Sequence, residues 1–155
     1  MQKDINEIFG LIGEIKKSEH ALIEKAYNFA LKAHEGQKRL SEEPYFNHVF
    51  ETARILAGLG MDAQTITAGL LHDVLEDTKT NEETMRGEFS DDIVFLVNGV
   101  TKLGTLKYRG HERHVESLRK FFVAMANDLR VVIIKFADRL HNLRTLEYVN
   151  EEKRP

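Results

Sequence analysis

Cysteine is absent from the 155-residue sequence, which excludes a disulfide framework and a thiolate metal site. The sequence also lacks any run of about 18 apolar residues, so it predicts no membrane span. Acidic residues interrupt the apolar positions of the N-terminal segment, which therefore does not resemble a signal peptide. The net charge of −3 argues against a nucleic-acid-binding domain, which is usually strongly basic. We expect a cytoplasmic protein that binds neither nucleic acid nor membrane.

Proline is nearly as scarce, because only Pro44 and Pro155 occur in the whole sequence. Few segments alternate apolar and polar residues in the way that strands do, whereas helical spacing of apolar residues is common. The hydrophobic content of 42% is enough for a buried core in a chain of this length. These features predict one all-α domain over residues 1–155.

The apolar periodicity and the helix-capping residues divide this domain into predicted helices. These cover roughly residues 5–15, 19–35, 48–57, 63–75, 81–87, 91–102, 114–128 and 129–149. The predicted N-terminal caps are Ser18, Asp62, Thr80 and Ser90. Residues 131–134 also have strand propensity, but the spacing of their apolar neighbours favours a helix. The basic, glycine-containing segment 103–113 is predicted to be a mobile loop.

The segment GLLHDVLEDT, residues 69–78, places acidic and imidazole side chains inside an apolar, predicted helical run. His72 and Asp73 together offer a nitrogen and an oxygen, which suit Mn, Fe or Zn. An isolated His-Asp pair is more often a hydrogen-bonded polar pair than a metal site. Here, however, unpaired charges would be costly to bury, which favours ligation.

Two further ligands are needed, and His48 and Asp138 are the candidates. His48 begins a predicted helix after the segment EEPYFN, and Asp138 is an acidic residue that interrupts an apolar helix face. The four residues would supply two nitrogens and two carboxylates from three helices. With carboxylates prominent and cysteine absent, Mn²⁺ is favoured over a structural zinc ion.

Glu76 and Asp77 follow the His-Asp pair by one helical turn, on the same flank of the predicted helix. Asp77 also falls near the predicted helix C-terminus, where the helix dipole disfavours a carboxylate. Next to a metal site, the two carboxylates could orient water or transfer protons. The alternative is a solvated helix end with two ordinary acidic residues.

Polar residues suited to a small anionic ligand lie in two further places. Asn142 and Thr145 share a helix face with Asp138, at spacings i+4 and i+7. Lys38 and Arg39 precede His48 in a loop, and an arginine there could hold phosphate or stack on a base. The alternative for each is a solvated surface residue. Five histidines have no evident metal-ligand partner: His20, His34, His111, His114 and His141.

Several segments of the chain resemble the N-terminal hydrolase domain of the RelA/SpoT family, part of the HD phosphohydrolase superfamily. In order they are GQKR, EPYFNH, AGLLHDVLEDT, VNGVTKLG and IKFADRLHNLRTL, and the similarity extends over residues 26–154. The resemblance implies an all-α HD-domain bundle with a metal site between its core helices. It also implies Mn²⁺-dependent removal of the 3′-pyrophosphate from (p)ppGpp, which gives GDP or GTP and pyrophosphate.

The same resemblance implies roles for individual residues. The implied metal ligands are His48, His72, Asp73 and Asp138. The pair that activates water and handles protons is Glu76 and Asp77. Arg39 would stack on or flank the guanine, and Asn142 and Thr145 would contact the nucleotide. Lys38, from its place in the same loop as Arg39, is a further substrate-binding candidate.

The chain departs from the family pattern at three positions. Val49 replaces a frequent proline, Glu42 a frequent glycine, and Leu40 a basic or small polar residue. Longer members of the family carry further hydrolase helices and a synthetase domain, so we expect an excised domain or a short stand-alone hydrolase. The alternatives are an HD phosphohydrolase acting on another nucleotide, such as NADPH, and a non-catalytic nucleotide-sensing module.

Overall fold

The computed structural model describes residues 1–104, 115–116, 119 and 128–145. The helices are α1 (Asn6–Ile12), α2 (Lys17–Ala33), α3 (Phe46–Gly58), α4 (Ala63–Leu71), α5 (Val74–Asp77), α6 (Glu82–Glu88), α7 (Asp91–Gly104) and α8 (Leu129–Arg144). Within these residues the extended pairing is limited to one antiparallel bridge, between Lys38 and Pro44. The prediction of an all-α fold is confirmed. In the described part of the chain, every helix is too short or too polar to cross a membrane.

Helix α4 forms the centre of the bundle and packs against α2, α3, α7 and α8. Its sequence, AQTITAGLL, contains only small, apolar or hydroxyl side chains apart from Gln64, and every other residue of the helix is buried. Gly69 allows the close approach of α3, because a Cβ atom at this position would lie 2.5 Å from Cδ1 of Leu56. The central helix therefore brings its C-terminal end into the middle of the core.

The predicted helix over residues 63–75 is wrong in one respect, because α4 ends at Leu71 and α5 begins at Val74. His72 and Asp73 form the junction between the two helices. The Nδ1 atom of His72 lies 2.6 Å from the carbonyl oxygen of Gly69, which the Asp73 N–H would bond in a continuous helix. The imidazole thus competes with the backbone for this oxygen.

The N-terminal caps of the other helices agree only in part with those predicted from the sequence. As predicted, Asp62 caps α4 by accepting from the N–H of Thr65, and Ser90 accepts from the N–H of Ile93. Two predicted caps are wrong: α2 begins after Lys16 instead of Ser18, and Asn81 instead of Thr80 caps α6.

The C-terminal half of the chain is described incompletely. Residues 129–144 are helical, as predicted, and this includes residues 131–134 with their strand propensity. Most of the predicted loop 103–113 and of the predicted helix 114–128 lies outside the described residues, as does the segment 146–149.

Candidate active site and metal centre

Four side chains converge where α3, the α4–α5 junction and α8 meet in the core. His48 comes from the first turn of α3, His72 and Asp73 from the junction, and Asp138 from α8. One nitrogen or oxygen atom from each lies within 4.8 Å of the corresponding atoms of the other three. The structure thus brings together the four predicted ligands.

Within this cluster, imidazole nitrogens lie at hydrogen-bond distance from carboxylate oxygens. Nε2 of His48 lies 2.8 Å from Oδ1 of Asp138, and Nε2 of His72 lies 3.1 Å from Oδ2 of Asp73. Although it is fully buried, Nε2 of His72 has no hydrogen-bond partner of adequate geometry among the described residues. This nitrogen, the imidazole nitrogen of His48 and two carboxylate oxygens form a set of ligand atoms that fits a divalent cation.

The charges of the cluster also favour a cation. Burial lowers the pKa of His72, but the Asp73 and Asp138 carboxylates outweigh this effect and raise it to about 10. Burial lowers the pKa of His48. Burial raises the pKa values of Asp73 and Asp138, but the facing histidines outweigh it and lower both. Two ionised carboxylates therefore lie beside the two imidazole rings, and they offer negatively charged oxygens to a cation.

The far nitrogens of the two histidines have different partners. Nδ1 of His72 lies against the carbonyl oxygen of Gly69, whereas Nδ1 of His48 lies 2.8 Å from Nδ1 of His141. His141 is buried in α8, and its contact with His48 could not be predicted from the spacing of the histidines. Partners of this kind orient the rings of metal-binding histidines.

Tyr45 is a site residue that the sequence analysis missed. Its hydroxyl lies 2.8 Å from Oδ2 of Asp73 and 2.9 Å from Oδ2 of Asp77, so it bridges the cluster and α5. Burial raises the pKa of Tyr45, and the charge of Asp73 raises it further, which keeps the phenol protonated. Its ring stacks on that of His34, with 5.0 Å between ring centroids. The available signals were its position three residues before His48 and its place in the family-like segment EPYFNH.

Glu76 and Asp77 are the exposed last two residues of the short helix α5, which begins at the buried Val74. The side chain of Gln37 donates to the backbone carbonyl of Asp77 at 2.5 Å, which fixes this end of α5 to the loop between α2 and α3. Burial raises the pKa of Glu76, and the charges of Asp77 and Asp73 raise it further. A carboxylate with a raised pKa suits proton transfer nearer to neutral pH.

The predicted substrate-binding residues fall into two places. The Arg39 guanidinium donates to the amide oxygen of Asn142 at 2.7 Å and to the hydroxyl of Thr145 at 3.3 Å. Nδ2 of Asn142 lies 3.5 Å from Asp138, so this group adjoins the cluster. Lys38 instead is exposed, and its Nζ atom lies 3.5 Å from Glu42.

The HD domain family matches residues 26–155 of the sequence. The chain belongs to the HD domain family. The HD-domain fold expected from the resemblance is confirmed. The curated relatives include a GTP pyrophosphokinase of Streptomyces coelicolor, 49% identical over 140 residues, which are 90% of this chain and 16% of the relative. They also include the bifunctional (p)ppGpp synthase/hydrolase SpoT of Escherichia coli K12, 46% identical over 133 residues.

The SpoT match covers 85% of this chain and 19% of the relative, so the chain spans less than a fifth of these curated proteins. A solved structure of similar fold covers 82% of this chain and 71% of its own, with 32% identity and a TM-score of 0.63. It is described as a metazoan ortholog of SpoT that hydrolyzes ppGpp and plays a role in starvation responses.

Proposed function

We propose that this HD domain hydrolyses the 3′-pyrophosphate of (p)ppGpp, giving GDP or GTP and pyrophosphate, with Mn²⁺ as the metal cofactor. The observation that carries the proposal is the buried cluster of two histidines and two aspartates. Similarity to relatives named for (p)ppGpp metabolism supports the choice of a guanosine nucleotide as substrate.

Hydrolysis fits the geometry better than pyrophosphate transfer, although some relatives are named for synthesis. Hydrolysis requires an activated water and a proton acceptor. The buried cluster would hold the cation that activates the water, and Glu76 would accept the proton. A structural neighbour, of which 71% of the chain is covered, is described as hydrolysing ppGpp.

In this proposal His48, His72, Asp73 and Asp138 hold the cation. When bound, the ion supplies Lewis-acid activation of water and of phosphate oxygens. Two imidazoles and two carboxylates, without cysteine, suit Mn²⁺. A cytoplasmic location remains a prediction.

The neighbouring residues supply proton transfer and orientation. Glu76, with its raised pKa, accepts a proton from the attacking water. Tyr45 donates to the carboxylate of Asp77 and holds it near the cluster. Arg39, fixed by Asn142 and Thr145, offers a planar set of donors to the nucleotide.

The test is incubation of the purified chain with ppGpp and Mn²⁺, followed by chromatographic detection of GDP and pyrophosphate. Asp73→Asn removes one ligand charge and should abolish turnover, whereas Asp91→Asn makes the same change on the exposed start of α7 and should not. NADPH and pppGpp are run in parallel to separate the nucleotide substrates. Absence of GDP formation, in an assay where a known hydrolase is active, would overturn the proposal. Full activity of Asp73→Asn would remove Asp73 from the ligand set.

A further inference from the structure

His141 is a buried histidine in α8, three residues after Asp138, and the proposed mechanism gives it no role. Its ring lies beside that of His48, with 5.0 Å between centroids and 34° between planes. The Nδ1 atoms of the two rings are 2.8 Å apart, which is a hydrogen-bond distance. The two atoms are chemically identical, so one ring must carry the hydrogen and the other must accept it.

The direction of this hydrogen bond decides what the other nitrogen of His48 can do. If His141 donates, neutral His48 carries its hydrogen on Nε2, which then bonds to Oδ1 of Asp138 at 2.8 Å. Its Nε2 then has no lone pair for a cation. If His48 donates through Nδ1, its Nε2 lone pair faces Asp138 and His72 and can bind a cation.

The second histidine of the cluster does not have this ambiguity. Nδ1 of His72 faces the carbonyl oxygen of Gly69, and a carbonyl can only accept a hydrogen bond. Neutral His72 therefore carries its hydrogen on Nδ1 and directs its Nε2 lone pair at the cluster. For His48 the equivalent partner is a side chain that can donate or accept.

We propose that His141 accepts the hydrogen bond from Nδ1 of His48 and thereby holds His48 in the tautomer that binds the cation through Nε2. The proposal rests on the cation-binding role of His48 in the proposed function. His141 is a positioning residue, because its near nitrogen faces His48 and it is not among the four converging ligands. Its own hydrogen is then on Nε2.

Two substitutions of His141 separate hydrogen bonding from packing. In His141→Asn the amide oxygen is bonded to Cγ, as Nδ1 is in histidine, so an acceptor remains near the same position. His141→Leu fills similar space without an acceptor and leaves the Nδ1–H of His48 unpaired. The affinity of each variant of the 155-residue chain for Mn²⁺ is measured by isothermal titration calorimetry, without substrate.

We expect His141→Leu to weaken Mn²⁺ binding about 10- to 100-fold, as is usual when the partner of a ligating histidine is lost. We expect His141→Asn to stay within about 3-fold of the unsubstituted chain, since it keeps the acceptor. Equal affinities of the Leu variant and the unsubstituted chain would overturn the assignment. So would equal losses in both variants, which a packing role predicts.

A second measurement uses the unsubstituted chain, so its outcome does not depend on whether a variant folds. The ¹⁵N shifts of the histidine rings in the chain loaded with diamagnetic Zn²⁺ report which nitrogen carries hydrogen. Hydrogen on Nδ1 of His48 and none on Nδ1 of His141 would support the proposal, and the reverse arrangement would overturn it. Failure of the unsubstituted chain to bind Mn²⁺ would overturn the metal centre itself, whereas binding with the reverse tautomers would overturn only the role of His141.

Discussion

The ammonium group of Lys135 lies 2.8 Å from Oδ2 of Asp138, while Oδ1 of the same carboxylate faces the two histidines. Lys135 is half-buried on α8, and the sequence analysis did not identify it. Burial and the charges of Asp77 and Asp73 raise the pKa of Glu76, whereas the charge of Lys135 opposes them. This cation therefore acts on both a proposed metal ligand and the proposed proton acceptor.

Replacing Lys135 by glutamine should shift the pH dependence of turnover. Glu76 accepts a proton only when it is ionised, so kcat is lost as the pH falls through its pKa. Loss of the positive charge raises this pKa, and the acidic limb of the kcat profile should therefore move to higher pH. Lys135→Arg keeps the charge and should leave the limb in place. Coincident acidic limbs for Lys135→Gln and the unsubstituted chain would contradict this role.

Removing the hydroxyl of Tyr45 should lower kcat more than it changes KM. The hydroxyl contacts both Asp73 and Asp77, and hydrogen bonds to charged groups contribute about 1.5–3 kcal/mol. Tyr45→Phe should therefore reduce kcat about 10- to 100-fold, since about 1.4 kcal/mol corresponds to a tenfold change in rate. The matched control is Tyr27→Phe, whose hydroxyl donates to the backbone of Lys3 away from the site. A Tyr45→Phe variant as active as this control would exclude the positioning of Asp77 by Tyr45.

Arg39→Lys should raise KM for ppGpp with little effect on kcat. Lysine retains the charge but lacks the planar donors that Arg39 uses with Asn142 and Thr145. We expect KM to rise about tenfold, equivalent to about 1.4 kcal/mol of binding. Arg54→Lys, an exposed substitution on α3, is the control and should leave KM unchanged. If both variants have the KM of the unsubstituted chain, Arg39 does not bind the nucleotide.

The metal centre should reverse the pH dependence of stability. The pKa of His72 is raised to about 10 in the folded chain, from about 6.5 when unfolded. The stabilisation is therefore complete below pH 6.5 and is lost as the pH rises toward 10. In EDTA, the free energy of unfolding in urea should fall between pH 6.5 and 8.5.

With saturating Mn²⁺ the same titration should have the opposite slope, because the cation binds neutral histidine and competes with protons. His72→Gln should lack the decrease measured in EDTA. Stability that is independent of pH in EDTA would contradict the raised pKa of His72. Equal slopes with and without Mn²⁺ would contradict binding of the cation at this histidine.

Glu42→Gly should stabilise the fold. Glu42 has a φ angle of +67°, a left-handed conformation that costs a non-glycine residue about 1–2 kcal/mol. Glycine avoids this cost but loses about 0.5–1 kcal/mol more chain entropy on folding, so the net gain is about 0.5–1 kcal/mol. The free energy of unfolding in urea checks the prediction. Glu43→Gly, at a residue without positive φ, should destabilise the fold, and equal effects of the two substitutions would contradict the strain at Glu42.

The sequence predicted the all-α fold and the four residues of the buried cluster, because His72, Asp73 and Asp138 interrupt apolar helical patterns and His48 begins a predicted helix. The break between α4 and α5 could not be predicted, since it depends on His72 bonding the carbonyl of Gly69. Periodicity describes which face of a helix is apolar, and it does not include such competition between side chain and backbone.

Residues whose role depends on distant partners were also missed. The hydroxyl of Tyr45 reaches Asp73 and Asp77, which lie 28 and 32 residues further along the chain. His141 had no metal-binding spacing, and its partner, His48, is 93 residues away. In contrast, the glycine expected at position 42 from the resemblance has a physical explanation in the positive φ angle of Glu42.

The cluster joins residues that are far apart in the sequence, because His48 and Asp138 are separated by 90 residues. Closing a loop of that length in an unfolded chain has an entropic cost that grows with the logarithm of its length. A divalent ion held by both residues would cross-link α3 to α8 through the core. In a chain without cysteine, the bound cofactor would therefore serve as a reversible staple, and chelation would loosen the whole domain as well as stop the reaction.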